Sequence, residues 1–259
     1  MSAIDLNDLY ATRPDLYDLM HADQVDDMRF MQEFVEVLGE NPRVLELGCG
    51  TGRLLIPMLD AGATVVGLDR EPAMIEVARR HMQAFGRRAS IVEGDMRDFT
   101  LDGYFDLALI GLNTFMHLLT IKAQLECLTC IHRHLRPAGL LLLDLANPYA
   151  VTRDTPLGVV QHRLTRRTDT GVTTLLSATT MAPAEQLAHT VLFFDETDRL
   201  SGQLRRSVSE VMLRLIYRFE LELLLARAGF SIRHLYGDYE SSPFDDESER
   251  LICVAAALS

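Results

Sequence analysis

The chain has 259 residues, with 37 acidic and 25 basic side chains and a formal net charge of -12. This negative balance argues against binding to nucleic acids or anionic membranes, because both require a positive protein surface. Hydrophobic residues make up 48% of the sequence, yet no apolar run could cross a bilayer and the polar amino terminus lacks a signal peptide. We therefore expect a cytosolic protein with one large domain, or one domain with an insertion.

The first forty residues predict helical structure before the first strand. Residues 1–20 include the pairs Leu9-Tyr10 and Leu16-Tyr17. Apolar residues then recur at helical spacing between positions 28 and 38. The dipeptide Asn41-Pro42 is expected to end this helix.

The most informative stretch is VLELGCGTG at residues 44–52. Its first four residues predict a short buried strand, and residues 53–59 predict the start of a helix. The three glycines at alternate positions therefore lie in the turn between them. Glycine permits positive φ and lets the backbone approach a ligand closely. A strand, a glycine-rich turn and a helix N-terminus together form a nucleotide-type site at the carboxyl edge of a parallel sheet.

The spacing of these glycines discriminates between nucleotides. A dinucleotide fingerprint, G-x-G-x-x-G, would need a glycine where this chain has Arg53, and its third glycine is Gly52 instead. An NAD-dependent oxidoreductase is therefore the less favoured alternative. The tighter glycine pattern, preceded by Glu46, resembles motif I of the class I S-adenosylmethionine (SAM) methyltransferases.

Two further strands carry acidic residues at their carboxyl ends. The segment TVVGLD at 64–69 predicts a second strand, where the carboxylate of Asp69 can accept hydrogen bonds from both ribose hydroxyls of a nucleotide. The segment SIVEGDM at 90–96 predicts a third strand. The resemblance implies that Asp95 binds the exocyclic amine of adenine and that the backbone of Met96 contacts a ring nitrogen. Three such elements in order support the resemblance more strongly than any one of them.

Strands and helices alternate through the first 150 residues. Short connections between them predict right-handed crossovers and a Rossmann-like, mostly parallel sheet. A turn at residues 135–139 leads into the fifth strand. The predicted strands lie at about 43–47, 64–68, 89–93, 105–110 and 140–146, and the predicted helices at about 52–61, 71–84 and 121–135.

Two local patterns are interpreted as structural. Cys127 and Cys130 form a C-x-x-C pair in a predicted helix, but no second pair accompanies them, so no metal site is expected. The tripeptide Asn147-Pro148-Tyr149 differs from the N-P-P-Y motif of methyltransferases that act on amino groups of bases and of glutamine. It lacks the second proline and follows the fifth strand, so we interpret it as a turn.

The pattern changes near residue 150. Residues 159–213 are rich in Thr, Val and Leu, with turn signals at Asp169-Thr170-Gly171 and Ser201-Gly202, which predicts two hairpins with about four antiparallel strands. A helix is expected from Tyr217 to Ala228, ended by Gly229. Two strands, at about 231–236 and 250–257, close the chain. The resemblance implies that the last strand inserts antiparallel into the sheet.

These boundaries predict three units. Residues 1–150 are expected to form the N-terminal helices and the SAM-binding core. Residues 151–215 are expected to form an antiparallel β subdomain that serves as a lid or an interface. Residues 216–259 are expected to supply the last helix and the closing strands of the core.

The chain is similar to small-molecule methyltransferases with a β insertion before the last helix, including amino-sugar N-methyltransferases and related natural-product enzymes. The motifs behind this closer match are NTFMHL at 113–118, YRFE at 217–220, YGDY at 236–239, SPF at 242–244 and SER at 248–250. The resemblance implies SAM as the cofactor and N- or O-methylation of a small-molecule acceptor. A non-catalytic SAM-binding protein is the remaining alternative. Exposed β hairpins often support dimers in this group, so a homodimer is also considered.

His117 is the candidate general base, because the unperturbed pKa of histidine lies near neutral pH. A structural role in its loop is the alternative. The resemblance implies that Tyr17 closes over the methionine end of the cofactor, with simple helix packing as the competing role. Second-tier pocket candidates are Tyr217, Glu220 and Tyr239. The residues expected at the cofactor are Tyr17, Glu46, Gly48, Cys49, Gly50, Gly52, Asp69, Arg70, Asp95, Met96 and Leu112.

Overall fold

The computed structural model describes residues 9–258; the first eight residues of the predicted N-terminal unit and Ser259 lie outside them. The helices are α1 (Leu9–Thr12), α2 (Pro14–His21), α3 (Asp26–Glu36), α4 (Leu55–Asp60), α5 (Pro72–Met82), α6 (Ile121–His134), α7 (Pro148–Asp154) and α8 (Arg218–Arg227). The strands are β1 (Arg43–Leu47), β2 (Thr64–Asp69), β3 (Ala89–Glu93), β4 (Phe105–Ile110), β5 (Leu135–Ala146), β6 (Gln161–Arg167), β7 (Gly171–Ala182), β8 (Leu187–Asp198), β9 (Leu204–Arg214), β10 (Phe230–Tyr236) and β11 (Arg250–Ala257).

The larger sheet has seven strands in the order β10-β11-β5-β4-β1-β2-β3. Strands β1 to β5 run parallel, and β11 runs antiparallel to both β5 and β10. The central strands are continuous apolar runs, as expected where helices cover both faces of a parallel sheet; Val44, Leu45 and Leu47 are fully buried. The predicted Rossmann-like fold with an antiparallel last strand is confirmed.

Several element boundaries differ from the sequence-based expectation. Helix α3 ends at Glu36, well before Asn41-Pro42. Helix α4 begins only at Leu55, because the residues before it are still part of the glycine turn. Strand β5 begins at Leu135, and the predicted turn is a bulge inside it: Leu135 pairs with Phe105, whereas Leu140 is the next residue to pair, with Leu107.

The tripeptide at residues 147–149 begins a helix that the sequence did not predict. Asn147 is the N-cap of α7, and its side-chain oxygen accepts a hydrogen bond from the backbone N–H of Tyr149. The side-chain amide of Asn147 donates to the backbone oxygen of Ser248 at 2.6 Å. A capping asparagine satisfies a backbone N–H that would otherwise lack a partner at the start of the helix. The tripeptide was predicted to be a turn; the structure places it at the start of α7, where Asn147 caps the helix.

The smaller sheet lies between residues 161 and 214, with four antiparallel strands in the order β6-β7-β8-β9. The turn between β7 and β8, at Pro183–Glu185, was not signalled by the sequence. Helices α1 and α2 pack against this sheet: Leu9 and Leu16 join Leu175, Leu192 and Phe194 in one apolar cluster.

An ion pair adds to this apolar contact. The guanidinium of Arg13 donates two hydrogen bonds of 2.9 Å to the carboxylate of Glu196 on β8. The smaller sheet and the segment that carries α1 and α2 are thus held together by both apolar packing and an ion pair.

A buried charged network lies at the carboxyl end of β5. Asp144 is fully buried, and its carboxylate accepts hydrogen bonds from the Arg250 guanidinium and, at 2.9 Å, from the hydroxyl of Tyr239. The same carboxylate accepts from the backbone N–H of Leu112 at 3.0 Å. Arg250 also donates to the side-chain oxygen of Asn113 at 3.1 Å. This network therefore ties the segment after β4 to β5 and β11.

We predict that Arg250→Met lowers the free energy of unfolding by about 3–5 kcal/mol, because it leaves the Asp144 carboxylate buried without its cation. Urea denaturation followed by circular dichroism measures this loss. Arg80→Ala removes an exposed ion pair with Glu76 on α5 and is the control, with an almost unchanged midpoint. Equal midpoints for the two variants would contradict the stabilising role of the network.

Candidate functional site

A cavity of about 530 Å³ lies at the carboxyl edge of the parallel strands, beneath the smaller sheet. Its walls come from four parts of the chain: the N-terminal helices, the ends of β1 to β3, the segment 112–120 after β4, and strands β8 and β9. Ligands of open α/β sheets bind at this edge. The predicted site residues that line the cavity are Tyr17, Gly48, Gly50, Asp69, Arg70, Asp95, Met96, Leu112 and His117.

The glycine turn after β1 is shaped by backbone conformation and by close packing. Gly48 and Gly50 have φ of +69° and +54°, a region that side chains other than glycine rarely occupy. A Cβ on Gly48 would lie 2.2 Å from Cγ2 of Thr114. A Cβ on Gly50 would be in ordinary contact with the ring of Tyr17, at 3.7 Å. The turn therefore requires glycine at both positions: a side chain at either would strain the backbone, and one at Gly48 would also collide with Thr114.

Asp69 holds this turn in place. One of its carboxylate oxygens accepts a hydrogen bond from the backbone N–H of Gly50 at 2.7 Å, and the other accepts from the N–H of Glu71 at 2.9 Å. Asp69 is 9% exposed. Each carboxylate oxygen can accept more than one hydrogen bond, so both oxygens retain capacity for the hydroxyl groups of a ribose.

Beneath the turn lies a cluster of buried charge. Glu46 is 3% exposed, and one of its carboxylate oxygens has no hydrogen-bond partner among residues 9–258. Burial raises the pKa of Glu46 well above its ordinary value. Arg53, at the position that excluded the dinucleotide pattern, forms a salt bridge with the buried carboxylate of Asp27 on α3. This salt bridge connects α3 to the segment that follows the glycine turn.

Aromatic rings cover the glycine turn from the N-terminal side. The phenol of Tyr17 is largely withdrawn from solvent, and this burial raises its pKa. Its ring lies 4.5 Å from that of His21 and 6.0 Å from that of Tyr10, measured between centroids. Next to Tyr17 in sequence, Asp18 accepts a hydrogen bond of 2.6 Å from the hydroxyl of Thr51 in the turn. Helix α2 is thus attached to the glycine turn by both packing and a hydrogen bond.

Asp95, just after β3, was predicted to bind the exocyclic amine of adenine, but it already has a partner in the structure. The carboxylate of Asp95 is already engaged, because it accepts hydrogen bonds from the side chain and the backbone N–H of Arg97. These hydrogen bonds hold the pKa of Asp95 below its ordinary value. Asp95 and Met96 both line the cavity. An adenine amine would therefore share the Asp95 carboxylate with Arg97.

His117 lies at the end of a short turn of 3₁₀ helix, Thr114–His117. The hydroxyl of Tyr10 is 3.4 Å from Nε2 of His117, and the two rings meet edge to face with centroids 5.6 Å apart. Tyr10 was not recognised as a site residue from the sequence. No helical periodicity signals it, because Tyr10 lies on α1 and Tyr17 on α2, and Arg13 between them is not helical.

The segment that carries His117 begins with unusual backbone. Leu112 and Asn113 have φ of +46° and +66°, and such residues outside glycine need support from their surroundings. The carboxylate of Asp144 supports Leu112 by accepting a hydrogen bond from its backbone N–H. The side-chain oxygen of Asn113 accepts a hydrogen bond from the backbone N–H of Ala146 at 2.7 Å. Asn113 therefore fixes the loop and also lines the cavity.

Strands β8 and β9 form one wall of the cavity, and none of its residues was predicted from the sequence. Thr190 and Leu192 from β8 line the cavity together with Val211 and Leu213 from β9. In each strand the two residues are separated by one position, so their side chains share one face of the sheet. This wall is uncharged and mostly apolar.

Other predicted residues lie away from the cavity wall. Gly52 faces α5, where a Cβ would contact Met82 at 3.2 Å. Cys49 is buried, and burial raises the pKa of its thiol. Among the second-tier candidates, Tyr239 bonds to Asp144. The ring of Tyr217 packs against that of Tyr149, and Glu220 pairs with Arg214.

Cys127 and Cys130 are fully buried, and the thiol of Cys130 lies 3.4 Å from both the backbone N and O of Phe99. The described residues contain no group of three or more side chains that could hold a metal ion. No helix among them is long and apolar enough to cross a membrane.

Comparisons with known proteins agree with this geometry. Residues 44–139 match the model of a family described as a methyltransferase domain. The cypemycin N-terminal methyltransferase of a Streptomyces species is 36% identical over 105 residues, which are 40% of this chain and 42% of that protein. A putative methyltransferase of Bacillus subtilis, YqeM, is 24% identical over 84% of this chain and 85% of its own length.

Solved structures resemble the whole chain. The CcbJ methyltransferase of Streptomyces caelestis has a TM-score of 0.81 and 25% identity, and the match covers 97% of this chain and 99% of that one. CalS10 of Micromonospora echinaspora has a TM-score of 0.74 and 22% identity, with 94% and 95% covered. The fold is the Rossmann-like fold of these solved methyltransferases. With the family match over the core, the chain is a SAM-dependent methyltransferase, and SAM is its cofactor.

We predict that Asp69→Ala weakens SAM binding by about 2–4 kcal/mol, or about 30- to 1,000-fold, because ribose hydroxyls would lose their charged acceptor. Isothermal titration calorimetry measures the affinity. Asp102→Ala removes an exposed carboxylate outside the cavity and serves as the matched control. An Asp69→Ala protein that binds SAM within threefold of the wild type would refute this assignment.

A second prediction concerns the pKa of Glu46. Because the pKa of the folded state lies above that of the unfolded state, stability is lost as the pH rises from the ordinary pKa through the raised one. We therefore expect Glu46→Gln to melt at nearly the wild-type temperature in acid, and at an increasingly higher temperature than the wild type as the pH rises from about 4 to about 8.

Thermal denaturation of the SAM-free protein across this pH range tests the expectation. Glu33→Gln changes an exposed carboxylate on α3 and is the control, with a constant offset from the wild type. A constant offset for Glu46→Gln as well would show that Glu46 ionises normally.

Proposed function

We propose that this methyltransferase acts on an amine or hydroxyl group of a small molecule with a largely apolar body, which binds between the glycine turn and the smaller sheet. The observation that carries this proposal is the division of the cavity into two halves. The charged side chains that line it all lie at or just after the carboxyl ends of β2 and β3; they are Asp69, Arg70, Glu71, Asp95 and Arg97. The opposite wall, from β8 and β9, is uncharged.

The polar half suits the nucleoside of SAM. Asp69 would accept the ribose hydroxyls, and Asp95 and Met96 would contact the adenine. Gly48 and Gly50 bring the backbone of the turn to the cavity wall, and Tyr17 lines the cavity beside them. When bound, SAM supplies a methyl group activated by its sulfonium, so the protein need not activate the donor.

The apolar half suits the acceptor. Leu192, Val211 and Leu213 bury apolar surface, which stabilises a complex by about 25 cal/mol per Å² removed from water. The N-terminal helices and the insertion also exclude water from the reacting groups. Holding the two reactants in line is itself a large part of catalysis in such a transfer. We therefore assign to residues 151–215 the role of a lid over the acceptor.

His117 is proposed as the general base. It lies on the segment that borders both halves of the cavity, where it can accept the proton that an amine or hydroxyl nucleophile loses. The contact with the hydroxyl of Tyr10 orients its ring. Tyr10 is accordingly a positioning residue in this proposal.

The acceptors named for similar proteins support this class. KedS8 is described as a sugar N-methyltransferase and CalS10 as an amino pentose methyltransferase. MtfA is described as a glycopeptide N-methyltransferase. These descriptions favour testing amines first. The acidic balance of this chain supports a small molecule over a nucleic acid.

Incubation of the protein with SAM and a panel of acceptors tests the proposal, with mass spectrometry to detect an added methyl group. The panel pairs apolar amines and alcohols with the same molecules carrying a phosphate. Leu213→Lys should raise the KM of the apolar acceptors while SAM affinity stays at the wild-type value. Turnover restricted to the phosphorylated acceptors would reject the proposed acceptor class.

For His117, we predict that His117→Ala lowers turnover by about 10²–10⁴-fold and leaves SAM affinity nearly unchanged, since proton removal belongs to the acceptor step. In the wild type the rate should fall as the pH drops through the range in which histidine is protonated, and this fall should be absent in the variant.

His162→Ala, on the exposed part of β6, is the control with wild-type turnover. If His117→Ala has the wild-type rate and pH profile, the base assignment is wrong, and catalysis then depends on positioning of a nucleophile that is already deprotonated.

A further inference from the structure

Two threonine hydroxyls meet at the wall that the smaller sheet contributes to the cavity. Of the four residues from β8 and β9 that line the cavity, Thr190 is the one with a polar side chain. Its hydroxyl lies 2.9 Å from that of Thr179 on β7, and the two residues are directly opposite each other in the strand register. Valine would fill almost the same space, and a hydroxyl in an apolar wall costs free energy unless it forms hydrogen bonds. Packing alone therefore does not explain the hydroxyl of Thr190.

This Thr179–Thr190 pair lies between two places where the smaller sheet packs on the rest of the molecule. Thr179, Thr190 and Val211 form one row across the sheet, with their side chains on the same face. Two residues further along β8, Leu192 joins the apolar cluster with α1 and α2. Two residues before Thr190, Ala188 joins the main core cluster together with residues of the 3₁₀ turn after β4. The row that contains Thr190 therefore spans the gap between these contacts, where the cavity lies.

The Thr179–Thr190 pair has unused hydrogen-bonding capacity. A threonine hydroxyl has one proton to donate and two lone pairs that accept, and the contact between the two residues uses only one of their two protons. In the part of the chain from residue 9 to 258, neither hydroxyl has a further hydrogen-bond partner. If Thr179 donates, Thr190 keeps its proton; if Thr190 donates, its oxygen keeps its lone pairs. Thr190 can therefore bond to a ligand in either arrangement.

The chemistry of the pair selects a neutral ligand group. A hydroxyl both donates and accepts, so it is complementary to Thr190 whichever way the pair is arranged, whereas an ether only accepts and an ammonium only donates. Among the described residues of β8 and β9 that line the cavity, none is charged. A charged group placed against this wall would therefore lose its hydration without gaining a counter-ion. A hydroxyl is the polar group that this part of the cavity suits best.

We propose, building on the proposed function, that Thr190 is a specificity-determining residue that binds a hydroxyl of the acceptor at a position separate from the atom that is methylated. Thr179 orients Thr190 through their shared hydrogen bond and is a positioning residue. The acceptor is then an amine or alcohol with an apolar body and a second hydroxyl that is not modified. His117 and Thr190 lie on different walls of the cavity, so contacts with both hold the acceptor at two points and fix its orientation.

The same contact makes the enzyme discriminate against acceptors that lack this hydroxyl. Such an acceptor covers Thr190 and leaves its hydroxyl without a partner, and sites built to bond a substrate hydroxyl reject analogues without one. A neutral hydrogen bond corresponds to a difference in kcat/KM of about threefold to tenfold.

Steady-state kinetics with matched acceptors test the inference. The pairs are phenethylamine with tyramine, cyclohexylamine with trans-4-aminocyclohexanol, and phenethyl alcohol with tyrosol, and mass spectrometry locates the added methyl group. The wild type should favour the hydroxyl-bearing member of a methylated pair by about threefold to tenfold in kcat/KM. Thr190→Val should reduce this preference to less than about twofold, and Thr190→Ser should retain it, because serine keeps the hydroxyl. Calorimetry should give the same SAM affinity for all three proteins.

The matched control is Thr174→Val, which removes a hydroxyl that lies 3.1 Å from that of Thr165. Thr174 and Thr179 are five positions apart on β7, so they lie on opposite faces of the sheet, and this variant should keep the wild-type preference. Urea denaturation provides the readout for a purely structural role. Thr190→Val should unfold at or above the wild-type midpoint, because it removes a hydroxyl that is only partly hydrogen-bonded.

The outcomes separate this inference from the proposed function. If no member of any pair is methylated, the proposed function fails and the inference fails with it. Equal kcat/KM for both members of every methylated pair, or a preference that survives Thr190→Val, would overturn the inference alone. The inference is also wrong if Thr174→Val loses the preference, or if Thr190→Val lowers the unfolding midpoint and slows both members of each pair equally.

Discussion

The carboxylate of Asp69 is the constraint on which the cofactor half of the site depends. It lies at the end of β2, yet its hydrogen bonds reach the glycine turn after β1 and the start of α5. Two loops from different strands are therefore fixed by one side chain, which is itself oriented by a buried strand. The backbone amides of a glycine turn cannot point at a ligand unless something selects one of the many conformations that glycine permits. Here the Asp69 carboxylate selects the conformation of the turn and also lines the cavity.

Buried charge surrounds this constraint on both sides. Arg53 and Asp27 anchor α3 below the turn, while Arg250 and Asp144 hold the segment after β4. Buried ion pairs contribute little net stability compared with apolar packing, but they are costly to break. They are therefore suited to holding strained backbone, such as the left-handed residues Leu112 and Asn113, in a single arrangement.

The sequence predicted the parts of the molecule that depend on local chemistry. The glycine spacing and the acid at the end of β2 identified the fold and cofactor, because a turn between a strand and a helix is a local structure. Tyr10 and Leu213 were missed since their place in the cavity arises only when the N-terminal helices pack on the insertion. The bulge in β5 depends on pairing with β4, which no local pattern records. Tyr239 was expected near the pocket, but its hydroxyl donates a hydrogen bond to Asp144. The two residues are 95 positions apart in the chain, so no local pattern indicates this contact.

The pleat of the smaller sheet has a consequence for how such enzymes diverge. On β9 the residues that alternate with the cavity wall, Glu210 and Met212, are exposed on the opposite face. The hydrogen bonds that hold the strands come from the backbone and are indifferent to side-chain identity. Under the proposed function, substitutions at Val211 or Leu213 would therefore alter which acceptor binds, while the strand pairing and the nucleoside site stay unchanged. A sheet placed opposite the proposed nucleoside site thus allows acceptor selectivity to change by point mutation, without remodelling of the fold.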